Sequence, residues 1–361
     1  MKIIIFFPIF NRGGLEEVAK LLIKFFLKKN LKLELITFKK IKYNFNSKNI
    51  KIFYPPQNLI KRSNLKKTIK CLNILVNRLK KNNPENTKIL SLQNSILAII
   101  FAKFFNYEII IKNANPIKAL FLSGNRLYNF FIFLMKIISY NFANKIIVNS
   151  EYNKKTLSRY IINKKKIYRI FNPVSLHKYK FRKKQNNILY VGRLVKEKGL
   201  ETLIKAFNLI SYKSYKLIIV GDGEHKKKLR RLVMRENLTK KVIFTGWKNN
   251  PKKYYLTSKI FILPSKFEAF GNSLIEAMHY QLSCIVSRNS GGPDEIMKFG
   301  KLGYLFKIDD TLDLKNKINF CIRNKSISNK KIVLAKKNLK RFSNKKSYSS
   351  YYKIIKNINS V

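Results

Sequence analysis

Short apolar runs alternate with longer segments of helical periodicity along the whole chain. Runs rich in Ile, Leu, Val and Phe are typical of strands that are buried on both faces of a parallel sheet. In the first half they predict strands at Lys2–Phe7, Lys32–Thr37, Ile50–Phe53, Ile89–Leu92, Glu108–Ile111 and Lys145–Val148. Leu15–Leu27 is amphipathic and predicts a helix between the first two strands. This alternation indicates the α/β class.

The pattern starts again after Asn172-Pro173-Val174, where proline disfavours helix in the residue before it. The second half predicts strands at Asn187–Val191, Lys216–Val220, Val242–Thr245, Lys259–Leu263 and Ser283–Val286, with helices at Gly199–Ile210, Glu224–Arg235 and Ser273–His279. We therefore predict two Rossmann-like domains, at residues 1–172 and 173–340. Residues 341–361 contain a predicted helix, Ser347–Ile358, that packs back on the first domain.

In such a fold the functional site is expected at the ends of the strands. Ligands bind beyond the carboxyl ends of the strands in open parallel sheets. Two sheets that face each other would place the site in the cleft between the domains.

One apolar segment raises the question of a membrane. Leu127–Ala143 is interrupted by Asn129, Lys136 and Asn141, and it is shorter than the roughly 20 apolar residues of a membrane span. It predicts a buried or interfacial helix. The apolar run Ile3–Phe7 stops at Pro8 and predicts a first strand, not a secretory signal.

The formal net charge of +58 suggests a polyanionic partner, but its distribution does not. Residues 1–175 hold 34 Lys and Arg against 6 Asp and Glu, and the remainder holds 42 against 12. An even spread favours a general compositional bias over a dedicated nucleic-acid patch. A basic surface is still attracted to anionic lipid head groups, so an anionic membrane surface remains a candidate partner.

Three widely separated cysteines indicate neither a disulfide framework nor a metal knuckle. Cys71, Cys284 and Cys321 are expected to be reduced thiols in a cytoplasmic protein.

The segment Phe261–Met278 carries the clearest candidate chemistry. A predicted strand runs into a loop with Glu268 and a glycine turn, after which a helix begins. Ser273 and Glu276 have the S-x-x-E spacing of a capping box, and on this interpretation Glu276 serves only its own helix. Alternatively, the helix N-terminus binds a phosphate and Glu276 accepts hydrogen bonds from a ribose. The local pattern leaves both readings open.

Glu268 and Glu276 stand eight residues apart, and this spacing resembles the E-x7-E motif of glycosyltransferase family 4. The resemblance extends over nearly the whole second domain, through Tyr190–Gly199, Ile218–Gly223, Phe244–Gly246, Ser290–Ile296 and Gly303–Leu305. In the first domain it rests on Asn11–Gly14 and Val148–Glu151, with Asn172–Val174 at the boundary. It implies a GT-B fold, in which two Rossmann-like domains face each other across a cleft, and a retaining reaction.

The resemblance also implies roles for residues of the second domain. Arg193 and Lys198 would neutralise the donor diphosphate, on which charge builds as the glycosidic bond breaks. Glu268 would lie near the transferred sugar, and Glu276 would hold the ribose. The stretch that would line the donor sugar and phosphates, partly through backbone amides, is Phe270, Gly271, Asn272, Ser273 and Leu274. Trp247 stands where the family's chain passes the nucleobase, although an ordinary packing role fits it equally well.

In the first domain Gly13 and Gly14 would let the backbone approach the phosphates, unless they only form a tight turn. Many family members carry a histidine near the donor sugar in this domain, whereas all three histidines here lie beyond residue 175. Asn113 or Asn115 stands in the corresponding stretch and is a weak candidate for acceptor binding. Asparagine can hydrogen-bond a sugar hydroxyl but cannot act as a general base.

No D-x-D sequence occurs in the chain. Such carboxylates would be the preferred ligands of Mg²⁺ or Mn²⁺ on a diphosphate. We therefore predict no metal site and metal-independent transfer, with the nucleotide-sugar as co-substrate and no other cofactor.

Together these observations predict a hexosyltransferase-type enzyme that moves a sugar from a nucleotide-diphosphate-sugar to a glycan or lipid-linked acceptor. The resemblance implies cell-envelope polysaccharide or lipopolysaccharide synthesis as the setting, and we expect the protein in the cytoplasm or peripherally on the inner face of the cytoplasmic membrane. Two alternatives remain at this stage. One is a basic protein that binds nucleic acid or membrane without catalysis, and the other is a phosphorylase or epimerase on the same fold.

Overall fold

The computed structural model describes residues 1–9, 13–41, 45, 47–56, 64–115, 126–180 and 182–358. The chain divides into two compact units: unit 1 is residues 1–173 with 344–361, and unit 2 is residues 174–343. Unit 1 is therefore built from two separate stretches of chain, whereas unit 2 is continuous.

Within its described residues, unit 1 is a seven-stranded parallel sheet with helices on both faces. Its strands are β1 (Lys2–Phe6), β2 (Lys32–Ile36), β3 (Ile50–Phe53), β4 (Thr87–Ser91), β5 (Glu108–Asn113), β6 (Lys145–Val148) and β7 (Ile167–Arg169), in the spatial order 3-2-1-4-5-6-7. Its helices are α1 (Gly14–Lys28), α2 (Asn64–Lys81), α3 (Ser95–Phe104), α4 (Arg126–Phe142), α5 (Glu151–Ser158) and, at the end of the chain, α13 (Asn344–Lys356).

Alternation along β1 explains why both faces of this sheet are covered. Ile3 and Ile5 point into a core that includes α1 and α13, whereas Ile4 and Phe6 point into a second core with α2 and α3. All four side chains are fully buried. A strand of this kind has to be apolar on both sides.

Unit 2 repeats the architecture with six described parallel strands. They are β8 (Asn187–Val191), β9 (Lys216–Val220), β10 (Val242–Gly246), β11 (Ile260–Leu263), β12 (Ser283–Ser287) and β13 (Tyr304–Phe306), in the spatial order 10-9-8-11-12-13. The helices are α6 (Leu200–Asn208), α7 (Lys226–Arg235), α8 (Lys252–Thr257), α9 (Asn272–His279), α10 (Gly292–Ile296), α11 (Thr311–Arg323) and α12 (Lys325–Asn338). Each unit thus has the Rossmann-like strand order, which confirms the predicted fold class.

Helix α13 belongs to the core of unit 1, far from its neighbours in sequence. Tyr351 and Ile355 are fully buried there, and the ring of Tyr348 stacks on Phe25 of α1 with 4.7 Å between centroids. Ser347 donates a hydrogen bond to the carbonyl of Phe171 at 2.8 Å. Helix α13 therefore completes the core of unit 1, whose other elements lie in residues 1–173.

A buried lysine connects this helix to the sheet. Lys112 on β5 is 2% exposed, and its Nζ donates a hydrogen bond of 2.6 Å to the hydroxyl of Tyr351. The burial of its ammonium lowers the pKa of Lys112 to about 7, because an apolar interior disfavours the charged form. The predicted strand ended at Ile111, one residue before this lysine, but β5 continues to Asn113.

The shift of Lys112 gives a pH dependence of stability. In the unfolded chain a lysine keeps its proton up to about pH 10.4, whereas Lys112 loses it near pH 7 in the folded protein. Between these values the unfolded state binds more protons, so the free energy of unfolding should rise with pH. One proton corresponds to about 1.4 kcal/mol per pH unit. We expect the stability of wild type relative to K112M to increase by up to roughly 3 kcal/mol between about pH 7 and 9.5.

Urea denaturation followed by far-UV circular dichroism measures this difference. The only tryptophan, Trp247, reports separately on unit 2 by fluorescence. K51M removes an exposed lysine from the edge strand β3 and should keep the wild-type pH profile. A difference between wild type and K112M that stays constant with pH would contradict the assignment.

Candidate active site

The strand order of unit 2 reverses beside β8. This strand pairs with β9 on one side and with β11 on the other, where Ile188 and Leu189 lie opposite Ile260 and Phe261. In open parallel sheets, ligands bind in the crevice at the carboxyl ends of two such strands. In unit 2 the corresponding loops are 192–199 after β8 and 264–271 after β11.

A glycine lets these two loops touch. The 3-10 turn Lys196–Lys198 ends at Gly199, which has a left-handed φ of 63°. A Cβ on Gly199 would lie 2.0 Å from the carbonyl oxygen of Pro264. Nearby, the amide of Lys266 donates a hydrogen bond of 2.9 Å to the carbonyl of Glu197. The contact is therefore backbone against backbone, with no room for another side chain.

This contact brings two of the predicted catalytic residues together. Lys198 Nζ donates a hydrogen bond to Glu268 Oε2, and the two groups form an ion pair. Their side chains are only 14% and 19% exposed, so water screens the pair less than it would on the surface. The result is a charge-assisted hydrogen bond at the carboxyl ends of β8 and β11.

The backbone of Glu268 is fixed by a third loop. Its amide donates to the carbonyl of Ser290 at 2.7 Å, and its carbonyl accepts from the amide of Gly292 at 2.9 Å. A Cβ on Gly292 would lie 2.4 Å from the carbonyl oxygen of Ala269. The loop after β12 therefore fixes the backbone from which the Glu268 side chain projects, through two hydrogen bonds and a close approach.

Asp294 holds that third loop. Its buried carboxylate accepts hydrogen bonds from the amides of Asn289, at 3.0 Å, and Gly291, at 3.2 Å. Burial raises the pKa of Asp294, and the backbone hydrogen bonds oppose this effect. The sequence indicated this residue only as part of the Ser290–Ile296 motif and assigned it no role. Its signal was the Gly-Gly-Pro-Asp order, in which a helix begins with its own acidic cap.

Arg193 follows β8 at the same edge. Its guanidinium is exposed, while its carbonyl accepts a hydrogen bond of 2.8 Å from the buried Tyr190 hydroxyl. The next amide, that of Leu194, donates to the carbonyl of Asp222 at 2.9 Å. The backbone of Arg193 is thus fixed, and its charge remains accessible to a ligand.

The predicted capping box at Ser273 is wrong. Helix α9 already begins at Asn272, and its N-cap is Gly271, whose φ of 97° lies in the left-handed region. Ser273 is therefore inside the first turn, where its helical backbone prevents it from acting as the N-cap. The first-turn amides of a helix have no intrahelical acceptor, so they remain suited to an anion.

The side chains around this helix start differ in exposure. Phe270 and Leu274 are 2% and 0% exposed, and the ring of Phe270 meets Phe342 edge to face at 5.9 Å between centroids. In this conformation neither side chain can therefore contact a ligand. Gly271 is buried, whereas Asn272 and Ser273 are partly exposed.

Glu276 lies one turn further along α9 and is partly exposed. It is close to the hydroxyl of the buried Tyr255, which donates to the carbonyl of Ser273 at 3.3 Å. Burial raises the pKa of Tyr255, and the Glu276 carboxylate raises it further. Glu276 thus lies close to a buried residue of the core of unit 2 and is also partly exposed to solvent.

Trp247 is found two strands away at the same edge of the sheet. It follows β10 and is partly exposed, and its indole N–H donates to Asn249 Oδ1 at 3.1 Å. The amide of Gly221 donates to the carbonyl of Gly246 at 3.0 Å and so ties the ends of β9 and β10 together.

Four predicted site residues belong to unit 1. Gly13 is the N-cap of α1, which Gly14 begins, and its φ of 164° is extended backbone. A Cβ there would meet nothing within 4 Å, so neither conformation nor crowding among the described residues requires glycine. Asn113 ends β5 and is buried, with no described hydrogen-bond partner for its Nδ2, whereas Asn115 is exposed.

A polar cavity of about 880 Å³ lies elsewhere in unit 1. Glu108, Asn144 and Lys145, which line it, stand at the amino-terminal ends of β5 and β6. The candidate site residues of both units instead follow the carboxyl ends of their strands. This cavity is therefore not part of the candidate site.

Nothing in the described part of the chain resembles a metal centre. No three His, Cys, Asp or Glu side chains cluster there in a way that could hold a metal ion. Metal-independent transfer stays a prediction, to be tested by experiment.

Comparisons with known proteins show similarity to glycosyltransferases. Residues 173–341 match the family model described as glycosyl transferases group 1. An amylovoran biosynthesis glycosyltransferase of Erwinia amylovora is 25% identical over 80% of this chain and 81% of its own length. A Campylobacter jejuni transferase, named for adding α-N-acetylgalactosamine to a diphospho-undecaprenol-linked saccharide, is 31% identical over 49% of this chain.

The relatives differ in how much of their own length this chain covers. This chain spans about half the length of the Campylobacter relative and of an uncharacterized glycosyltransferase of Methanocaldococcus jannaschii. Among solved structures, Anabaena HepE in complex with UDP and glucose superposes with a TM-score of 0.79. It is 18% identical, and the superposition covers 99% of this chain and 100% of that one.

The glycine contact at the site makes a testable prediction. Gly199 and Gly246 both have left-handed φ values, 63° and 71°, but a Cβ on Gly246 would meet nothing within 4 Å. G199A and G246A should each lose about 1–2 kcal/mol of stability from the backbone conformation. G199A must also displace the Pro264 carbonyl, which should cost roughly 1–3 kcal/mol more.

Urea denaturation by far-UV circular dichroism, applied to both variants, measures the difference. Equal stabilities of G199A and G246A would show that the two loops are not in close contact.

Proposed function

We propose that this chain, whose residues 173–341 match the family model of glycosyl transferases group 1, is a retaining glycosyltransferase of the GT-B fold that uses a nucleotide-diphosphate-sugar. The observation that carries the proposal is the Lys198–Glu268 pair at the strand reversal beside β8. The family supports the reaction type. The retention of configuration and the donor are our own inferences.

Positive charge at this position suits a leaving diphosphate. Arg193 and Lys198 both follow β8, and an ammonium has three N–H donors, of which Glu268 accepts one. The remaining donors of Lys198 and the exposed Arg193 guanidinium are free to contact phosphate oxygens. Fixed cations stabilise the charge that develops on a leaving group, which is often a large contribution to catalysis.

Retention follows from a reaction on a single face of the sugar. The acceptor hydroxyl oxygen forms a bond to the anomeric carbon on the side from which the diphosphate departs. The bond between that carbon and the phosphate oxygen breaks, and its electron pair stays on the diphosphate. A phosphate oxygen then takes the acceptor proton, so no protein base is needed.

Glu268 has two tasks in this scheme. Its carboxylate orients the Lys198 ammonium before the donor arrives, which lowers the cost of ordering a flexible side chain during catalysis. Its remaining lone pairs accept hydrogen bonds from hydroxyls of the transferred sugar. Both tasks depend on the backbone position of Glu268, which the contacts to Ser290 and Gly292 fix.

The rest of the donor is assigned to neighbouring groups. The start of α9 faces the phosphates with the backbone of residues 270–274, where amides and the helix dipole favour an anion. Glu276 accepts hydrogen bonds from the ribose, and Trp247 packs against the nucleobase. Gly13 and Gly14 contribute open backbone, because the structure gives no other reason for glycine at position 13.

We assign acceptor recognition to unit 1 and donor binding to unit 2. The Campylobacter relative is named for a diphospho-undecaprenol-linked acceptor, and the Erwinia relative for amylovoran biosynthesis. These names favour a glycan or lipid-linked acceptor in cell-envelope polysaccharide synthesis. Asn113 has a buried amide that could donate to a sugar hydroxyl, and Asn115 is exposed beside it.

The Glu268 carboxylate is the sharpest test of the proposal. E268Q keeps the size of the side chain but removes its charge, so Lys198 loses the partner that orients it. We expect kcat/KM to fall by about 10²–10³, the usual effect of removing one group that acts in the transition state. The release of nucleoside diphosphate from a panel of nucleotide-sugars and acceptors measures the effect.

A neighbouring ion pair provides the matched control. Lys266 pairs with Asp309 in a more exposed position, and D309N removes the same charge near the same loop. It should keep wild-type turnover, and both variants should melt within a few degrees of wild type. E268Q with full activity would refute the site, and a wild-type protein that hydrolyses or transfers from no nucleotide-sugar would refute the function.

The chemistry of the leaving group gives a separate prediction. Because cationic side chains neutralise the diphosphate, EDTA should leave turnover unchanged, and added Mg²⁺ or Mn²⁺ should not increase it. Proton NMR of the first product formed should show the anomeric configuration of the donor. Inverted product would overturn the single-face reaction, and an EDTA-sensitive rate would overturn the metal-free one.

A further inference from the structure

Helix α4 presents an apolar stripe to solvent. Leu127, Phe131, Leu134, Ile138 and Phe142 are spaced by four, three, four and four residues, which places them on one side of a helix. All five are exposed, and Leu127 and Ile138 reach 81% and 57%. The opposite side of α4, with Ser139 and Tyr140, is buried in unit 1. The sequence predicted a buried or interfacial helix here, and only one side of the helix is buried.

A neighbouring segment extends the stripe. Asn141 joins its side chain to residues 160–162, donating to the carbonyl of Tyr160 at 3.1 Å and accepting from the amide of Ile162 at 2.9 Å. Ile162 is 88% exposed. We call the five α4 residues together with Tyr160 and Ile162 the α4 surface. Apolar patches of this kind are rare on monomeric proteins in water and mark interaction sites.

Basic side chains border this surface. Arg126 begins α4, and Lys164 and Lys165 follow Ile162; all three are exposed. Lys166 Nζ donates to the carbonyl of Asn141 at 2.6 Å and so places its charge at the end of α4.

Acidic residues are nearly absent from the surrounding sequence. Between residues 86 and 196 the sequence contains only two, Glu108 and Glu151. Glu108 pairs with Lys88 at 2.6 Å, and Glu151 has Arg169 at 3.6 Å. The charge around the α4 surface is therefore predominantly positive.

We propose that the α4 surface docks unit 1 onto a bilayer that contains anionic phospholipid. An exposed stripe of Leu, Ile and Phe with aromatic and basic neighbours is the pattern of a helix lying in the membrane interface. The apolar side chains enter the acyl boundary, and the cations meet the head-group charge. Among the helices that the structure describes, none combines the length and the apolar character of a membrane span. The inference does not rest on the proposed function, because exposure and charge alone define the surface.

Vesicle co-sedimentation of the full chain tests the apolar contribution. Wild type should sediment with vesicles of phosphatidylcholine containing about one quarter phosphatidylglycerol, and much less with phosphatidylcholine alone. The variant L127Q/F131Q/I138Q should bind the anionic vesicles at least about tenfold more weakly. Its matched control is L209Q/F299Q/L312Q, which removes three exposed apolar side chains from unit 2 and should bind like wild type.

Charge reversal tests the electrostatic contribution. K164E/K165E should weaken binding to the anionic vesicles, and K325E/K330E, which makes the same change in net charge on unit 2, should not. Equal weakening by the two pairs would show that total charge, not the α4 surface, drives binding.

Three other results would overturn the proposal: wild type that ignores anionic vesicles, an α4 triple variant that sediments like wild type, or a wild-type dimer that this variant converts to monomer. The last would mean that a second copy of the chain covers the surface. The melting point and its shift with nucleoside diphosphates should be unchanged in the α4 variant. Loss of vesicle binding therefore remains distinguishable from a failure of the proposed enzyme.

Discussion

The candidate site of this protein depends on one feature of sheet topology. Strand β11 joins the sheet of unit 2 on the side of β8 away from β9, so two loops meet that belong to distant parts of the sequence. Lys198 and Glu268 are 70 residues apart and still form an ion pair. The contact requires a carbonyl to approach Gly199 closely, since any Cβ there would collide with it. The strand order brings the two loops together, and the absence of a side chain at Gly199 lets their backbones approach closely.

In a chain this basic, the pairing of Glu268 with Lys198 is a choice among many available cations. With 76 basic and 18 acidic residues, a carboxylate can find a cationic partner almost anywhere. Most such pairs lie near the surface, where solvent reduces their contribution to stability. The backbone of Glu268 is instead held by the backbone of residues 290–292, which Asp294 in turn fixes. The loops select Lys198 from many possible partners, and the fixed geometry distinguishes a site from a surface contact.

Much of the fold could be predicted because strands buried on both faces leave a clear apolar signal. The three-residue strands β7 and β13 were not identified as strands, since so few residues carry little pattern. The last two residues of β5 were also missed. Lys112 looked like the end of a strand, but Tyr351, 239 residues away, accepts its hydrogen bond inside the core. No local pattern could have indicated that partner.

The candidate site, like the fold, could be predicted only in part from the sequence. Arg193 and Lys198 could be separated from the other cations only through the motif around them, because a basic residue in this chain carries no signal alone. The capping box failed because Gly271 adopts a left-handed φ and starts α9 before Ser273. The support from Asp294 comes from the loop after another strand, which a local sequence pattern does not include.

The assignment of α13 to unit 1 has a consequence for how the protein is made. The ribosome synthesises residues 1–173 first, but the helix that completes their core comes only after all of unit 2. Unit 2 is continuous in sequence and can fold as soon as it emerges, since domains generally fold as units during synthesis. Until α13 is synthesised, unit 1 exposes the apolar face on which Tyr351 and Ile355 later pack. A late closing step of unit 1, after α13 has been synthesised, follows from this order of synthesis.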